Sequence, residues 1–356
     1  VPQATALQET LMDQLADQMQ IDQLEFRLKN SLKDGDKTVC GQKLDSVGIV
    51  DCLKALKNSW KQKKEASITF NTNSKRYKKG VGIATCWYGC GNTALPNPST
   101  IKIGLTNTGR ISLHQGATDI GQGSNTVISQ ITADAIGVAI TNIDLVSPDT
   151  FLTPDCGKTS ASRQTYVTGK AAQNAGLKLR SEILRLSNMG NNSHIKFEER
   201  KIIISNQDKK QCIDLNSLDL IENNYVIVVE ETYDPPTTSL DENGQGIPYA
   251  VYGYGAQMAE ITIDTELGLL KIDKITAAHD LGKTINPLLA EGQIEGGIAQ
   301  GIGFALMEEY IPSKTENLHD YLIPSIGDVP EIESILIEKN DPEGPFGARG
   351  LGEHVL

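Results

Sequence analysis

One carboxylate stands in the run "GPFGARGLGEHVL" (344–356): Glu353, with Gly347, Gly350 and Gly352 around it. A glutamate held in such a loop and withdrawn from water has its pKa raised toward the range a general base needs. A lone loop glutamate is otherwise simply solvated, and the run taken alone leaves both readings standing.

Three further runs carry residue types suited to holding a polar ligand. "ATDIGQGSNTVISQ" leaves a strand through Gly121, Gln122 and Gly123 just before a helix. Glycines admit close backbone approach, and the first N–H groups of a helix have no intrahelical partner, so they can hold an anionic or polar group. "PDCGKTSASRQTYVTGKAAQNAG" offers Ser160, Ser162 and Gln164 as donors in a short span, which suits a ligand with many heteroatoms and equally suits a well-capped helix start. "EGQIEGGIAQGIGFALMEEY" reads as a helix with Gly296, Gly297, Gly301 and Gly303 inside it. Each glycine costs about 1 kcal/mol of helix propensity against alanine, so close approach by another helix or by a cofactor is expected there, with Gln300 the polar residue among the small ones. None of these runs has the spacing of a dinucleotide-binding turn, which leaves a nucleotide-dependent dehydrogenase poorly supported.

The elements that must position these residues follow from periodicity. Leu7, Leu11, Leu15 and Met19 recur every four residues, predicting a helix that packs its apolar face on a core. Residues 31–79 turn polar and Lys-rich, with a short helical patch around Val50–Leu56, and read as a connection with a solvated charge run. After Gly80 strands appear: "TIKIGLTNTGRISLH" is strand, turn and strand, and "AQMAEITIDTELGLLKIDKITAAHD" repeats that plan. Helices fall between them, so mixed sheets and hairpins with packed helices predict the α+β class.

In their order, these motifs resemble the molybdopterin-binding part of the xanthine oxidase and aldehyde oxidase family of molybdenum hydroxylases. "DIGQGSNT" is similar to that family's Gly-Gln-Gly loop beside the cofactor, "SASRQTYVTGKA" to its second pterin-contacting loop, "AEGQIEGGIAQGIGFALMEE" to its Gly-rich helix, and "GPFGARGLGE" to the loop presenting the catalytic glutamate. The run "PFGARGLGE" with "SRQTYVTG" looks closer to bacterial aldehyde oxidoreductases than to mammalian xanthine oxidase.

The resemblance implies a molybdenum–molybdopterin cofactor, with or without a nucleotide extension, whose dithiolene rather than any side chain holds the metal. It implies Glu353 as the base that takes a proton from hydroxide on the molybdenum, Gly121, Gln122 and Gly123 on the apical side, Ser160, Ala161, Ser162, Arg163 and Gln164 holding the pterin and its phosphate, and Gln300 bonding the pterin. It implies residues 1–33 as the end of a first molybdopterin-binding domain, 34–79 as a connection and 80–356 as the second such domain. Iron-sulfur clusters, FAD and the remaining half of the molybdenum region are expected on other domains or chains, and the substrate is an aldehyde or aromatic N-heterocycle. A related scaffold or assembly subunit without turnover is the competing reading.

Composition bounds these readings. A net charge of −12 disfavours nucleic acid and membrane surfaces as partners. Six scattered cysteines read as reduced thiols of a cytoplasmic protein rather than a disulfide framework, and the Cys86–Cys90 pair lacks further soft ligands nearby for zinc. No run of apolar residues is long enough to span a bilayer.

Overall fold

A computed structural model describes residues 2–92, 95–221 and 224–356. The chain divides into two compact units, one formed by residues 1–89, 252–341 and 351–356, the other by 90–251 and 342–350. Residues 34–79, read from sequence as a connection, carry the helix Ile49–Asn73 within the first unit.

In that first unit, helices α1 (Pro2–Gln18), α2 (Gln23–Asn30) and α3 (Ile49–Asn73) precede strand β1 (Tyr77–Cys90). The expected patch at 50–56 is the buried beginning of the 25-residue α3, which packs Cys52, Leu53, Leu56 and Trp60 inward. Beyond Trp60 only Ser67 is buried, so apolar periodicity stops where the helix does not. The apolar stripe of α1 overturns its expectation: Leu7 is 66% and Met19 59% exposed, while Glu9 and Ala16 are buried. Glu9 faces inward because it is fully paired. Arg27 Nε donates to it at 2.7 Å, as do Thr85 N at 2.8 Å and Thr85 Oγ1 at 2.9 Å, and Arg27 also binds Asp13 one turn along α1.

Strands β9 (Val251–Asp264) and β10 (Leu269–Asp280) form the hairpin predicted around "TELG", with Leu269 opposite Asp264. With β11 (Glu331–Ile337), parallel to β10, they complete a sheet in the order β1-β9-β10-β11. The Gly-rich run forms α6 (Pro287–Leu306), started by Asn286 Oδ1 accepting from Leu289 N. Its Ile294, Ile298 and Ile302 share one face and make a core with Ile275, Ala277 and Val355.

The second unit pairs β2 (Ser99–Thr106) with β3 (Ile111–His114) in the predicted hairpin, and adds β4 (Ile143–Val146) parallel to β3 and β8 (Tyr225–Tyr233) antiparallel to β2. Helix α4 (Ser124–Ile136) lies in sequence between β3 and β4, and α5 (Gly169–Ser187) packs against it and against β2 and β8. Gly176 permits that helix contact, since a Cβ there would sit 2.7 Å from Ala135 Cβ. A meander of β5 (His194–Glu198), β6 (Lys201–Ser205) and β7 (Lys210–Asp214) completes the unit. Hairpins, the strand-helix-strand crossovers β3-α4-β4 and β10-α6-β11, and packed helices are the α+β class predicted.

Candidate active site

In the second unit two of the predicted loops lie side by side. Thr118 O accepts from Thr159 Oγ1 at 2.8 Å and from Gln122 Nε2 at 3.2 Å, tying the Gly121–Gly123 turn to the segment before Ser160. Three amides of the turn into α4 are already taken by Asp119. Its Oδ1 accepts from Gly121 N at 2.9 Å and Gly123 N at 3.2 Å, and its Oδ2 from Asn125 N at 3.0 Å. Burial acts to raise the Asp119 pKa, yet these three amides outweigh it and hold the carboxylate below its ordinary value. Gln122 turns onto its own loop, accepting from Ile120 N at 2.6 Å. What this turn leaves open is Gly121, exposed and with no atom within 4 Å of where a side chain would begin.

Arg163 is turned inward. It is 1% exposed, and its guanidinium donates to the carbonyls of Cys156, Lys158, Asn97 and Pro98 and to Ser99 Oγ. It therefore staples its own loop from inside and presents nothing to a phosphate. Gln164 is likewise buried, donating to Lys158 O at 2.9 Å and accepting from Thr168 Oγ1. Cys156 is a structural thiol, its Sγ 3.1 Å from both Gly116 N and Thr100 O, and burial pushes it up from its ordinary pKa. Ser160 alone of the predicted five is exposed, with Ala161 and Ser162 half-buried. Ala161 and Ser162 both have φ of +53°, a left-handed pair in non-glycine residues. Each costs about 1–2 kcal/mol, strain of the kind kept where a loop must present its backbone to something.

In the first unit α6 and the final turn come together. Residues 353–355 form a single helical turn in which His354 and Val355 are buried and Glu353 is exposed. The enclosure expected around Glu353 is not supplied by the described residues. The α6 glycines receive a specific account: a Cβ at Gly297 would stand 2.4 Å from Val355 Cγ2, and one at Gly301 3.4 Å from the Leu356 carbonyl carbon. At those two positions what approaches the helix closely is the turn behind Glu353. Gly292 and Gly296 face open space, and Gln300 is exposed on the same helix.

Three residues that sequence reasoning missed hold that turn. Gly253 and Gly255 of β9 clear room for two imidazoles, since a Cβ would lie 2.4 Å from the His354 ring in the first case and from the His279 ring in the second. Gln257 Nε2 donates to Val355 O at 2.9 Å and lies 3.2 Å from His279 Nε2. The alternating glycines of "YGYGAQ" were the available signal, but nothing local says what they face. For Asp119 the signal was its place two residues before a glycine, the spacing at which an aspartate caps a turn.

The family model for the molybdopterin cofactor-binding domain matches residues 54–330. The chain is 30% identical over 370 residues to a putative xanthine dehydrogenase molybdenum-binding subunit of Escherichia coli, covering 99% of this chain and 47% of that protein. It is 32% identical over 363 residues to the aldehyde oxidoreductase of Megalodesulfovibrio gigas, covering 100% of this chain and 37% of that one. The crystal structure of the aldehyde oxidoreductase from Desulfovibrio desulfuricans superimposes with a TM-score of 0.84 at 29% identity, over 100% of this chain and 37% of its own. The chain thus spans less than half the length of these relatives.

Proposed function

Because the chain belongs to the molybdopterin cofactor-binding family of xanthine dehydrogenases and aldehyde oxidoreductases, we propose that it forms one part of a molybdenum hydroxylase, with Glu353 as general base. The observation that carries this reading is the contrast within the last turn, where one carboxylate is exposed on a backbone whose next two residues are buried. A solvated tail has no reason to be anchored so; a base that must meet a substrate has.

The loops of the second unit fit a pterin. Gly121 leaves clearance, and the strained Ala161–Ser162 backbone is fixed from beneath by Arg163. Ser160, Ala161 and Ser162 with Gly121 and Gly123 would hold the cofactor through their exposed edges, Gln122 by turning out of its loop, and Gln300 from α6. Arg163 and Gln164 act by keeping the loop in shape. In this reading the cofactor rather than any side chain holds the metal. The bound group supplies two-electron redox chemistry. Glu353 accepts the proton of the water whose oxygen becomes the new hydroxyl group on an aldehyde or N-heterocycle, and the electrons leave through iron-sulfur and flavin groups on other domains or chains.

The exposed stripe Leu7, Leu11, Leu15 and Met19 supports a further protein surface lying on α1. No helix among the described residues is long and apolar enough to cross a membrane, and a cytoplasmic complex is proposed. In that complex Glu353→Gln should keep its molybdenum, measured by metal analysis, and lose turnover by about 100-fold or more. Unchanged turnover would favour a non-catalytic scaffold. An active complex without molybdenum would remove the reading altogether.

A further inference from the structure

We propose that Gln257, acting with His279, is the positioning residue of the Glu353 turn: its carboxamide ties the backbone two residues beyond the base to a buried neutral imidazole. The proposal rests on the reading of Glu353 as the base.

Strand β9 places residues 253, 255 and 257 on one face. The first two are glycines that admit His354 and His279, and the third is the first side chain on that face long enough to reach the turn. Val355 O can only accept, so the nitrogen end of the Gln257 amide must face it; the reversed amide would set oxygen against oxygen. The same nitrogen's second hydrogen points at His279 Nε2, which therefore carries a lone pair, and the imidazole proton sits on Nδ1. His279 is fully buried, and burial together with the nearby His354 drives its pKa well below the ordinary value, which keeps it in the neutral form that can accept. His354 completes the frame, its ring centroid 5.7 Å from that of His279 and 6.5 Å from that of Tyr88.

The two residues after Glu353 are thus anchored by different means, His354 by ring packing and Val355 by a directed hydrogen bond. Packing sets the depth of the turn, and the hydrogen bond sets its rotation. A small error in rotation swings the one exposed side chain, and a displacement of about 1 Å at a reacting group costs on the order of 100-fold in rate.

The test uses the intact molybdenum complex with an aldehyde substrate. Gln257→Met keeps length and packing while removing both donors. It should lower kcat by about tenfold or more with KM little changed, keep the molybdenum content, and be no slower with Glu353→Gln added than Glu353→Gln alone. Hydrogen exchange at the amides of residues 353–356 should rise in the single variant. Should Gln257→Met lose its cofactor, His279→Gln, which keeps an acceptor near the Nε2 position, should hold exchange and kcat near the wild type. Unchanged exchange in Gln257→Met overturns the positioning role. Raised exchange with unchanged kcat, or a loss that adds in full to that of Glu353→Gln, overturns its link to the base. If Glu353→Gln itself retains turnover, the base reading falls, and the exchange measurement alone decides whether Gln257 holds the turn.

Discussion

The loops of the second unit and the turn of the first are fixed by different means. Asp119 and Arg163 hold their loops with full charges, one gathering three amides and the other five oxygen acceptors. In the Glu353 turn glycine clearances, two rings and an amide hold the backbone at residues 354 and 355. The difference teaches what each segment must hold still. A loop that presents backbone benefits from a strong internal staple, whereas a turn that presents one side chain needs its neighbouring backbone fixed in place.

Removing Arg163 should have the largest effect. Arg163→Leu leaves five acceptors without their donor and should cost about 4 kcal/mol of stability, read as a lowered denaturant midpoint. Arg163→Lys should recover only part of this, because one ammonium cannot span both sets of carbonyls. Next, Gly297→Ala drives a methyl into Val355 and should cost about 1–3 kcal/mol, with raised hydrogen exchange in residues 353–356.

These two predictions mark what the sequence can and cannot say. The β2–β3 and β9–β10 hairpins were legible because strand alternation and turn residues are local, and α4 because its apolar face is regular. The extent of α3 was not, since its second half faces water, and the leucines of α1 pointed the wrong way because the inward Glu9 found Arg27 in another helix. Gly297 was legible as a glycine needing a neighbour, but not which neighbour. Arg163 looked like a phosphate ligand because its carbonyl partners at 97 and 98 lie some sixty residues away in sequence.

The remaining predictions sharpen the charged-against-neutral contrast through pH. His279, neutral in the fold and protonated when unfolded below its ordinary value of 6.5, makes the unfolded chain bind more protons under acid conditions. Stability of the first unit should therefore be full above that pH and fall below it by at most about 1.4 kcal/mol per pH unit, a slope absent in His279→Gln. Asp119 has the depressed pKa of an amide-bound carboxylate, so its contribution is present above the usual carboxylate range and disappears as pH falls through the lowered value. Asp119→Asn should cost about 1 kcal/mol at neutral pH and nothing in strong acid, measured by denaturation at both pH values. The smallest effect is of opposite sign: Gly296→Ala, with open space at its Cβ, should stabilise α6 by about 0.5–1 kcal/mol. If that variant also loads less molybdenum, the open face of α6 is where the cofactor comes closest.

The first unit takes its chain from both sides of the second. Ser46 Oγ donates to Asn340 O at 2.6 Å and Lys339 Nζ to Val47 O at 3.0 Å, closing spans of almost three hundred residues. A ribosome delivers those pieces on the order of 15–60 s apart at about 5–20 residues per second, with residues 90–251 emerging in one stretch between them. Residues 90–251, the bulk of the inserted unit, can condense while the host is still waiting for β9, β10 and α6, and the turn that carries Glu353 emerges after all of them. During synthesis, then, the acid is set into a frame already standing, and a nascent chain released early would hold the loops of one unit without the carboxylate of the other.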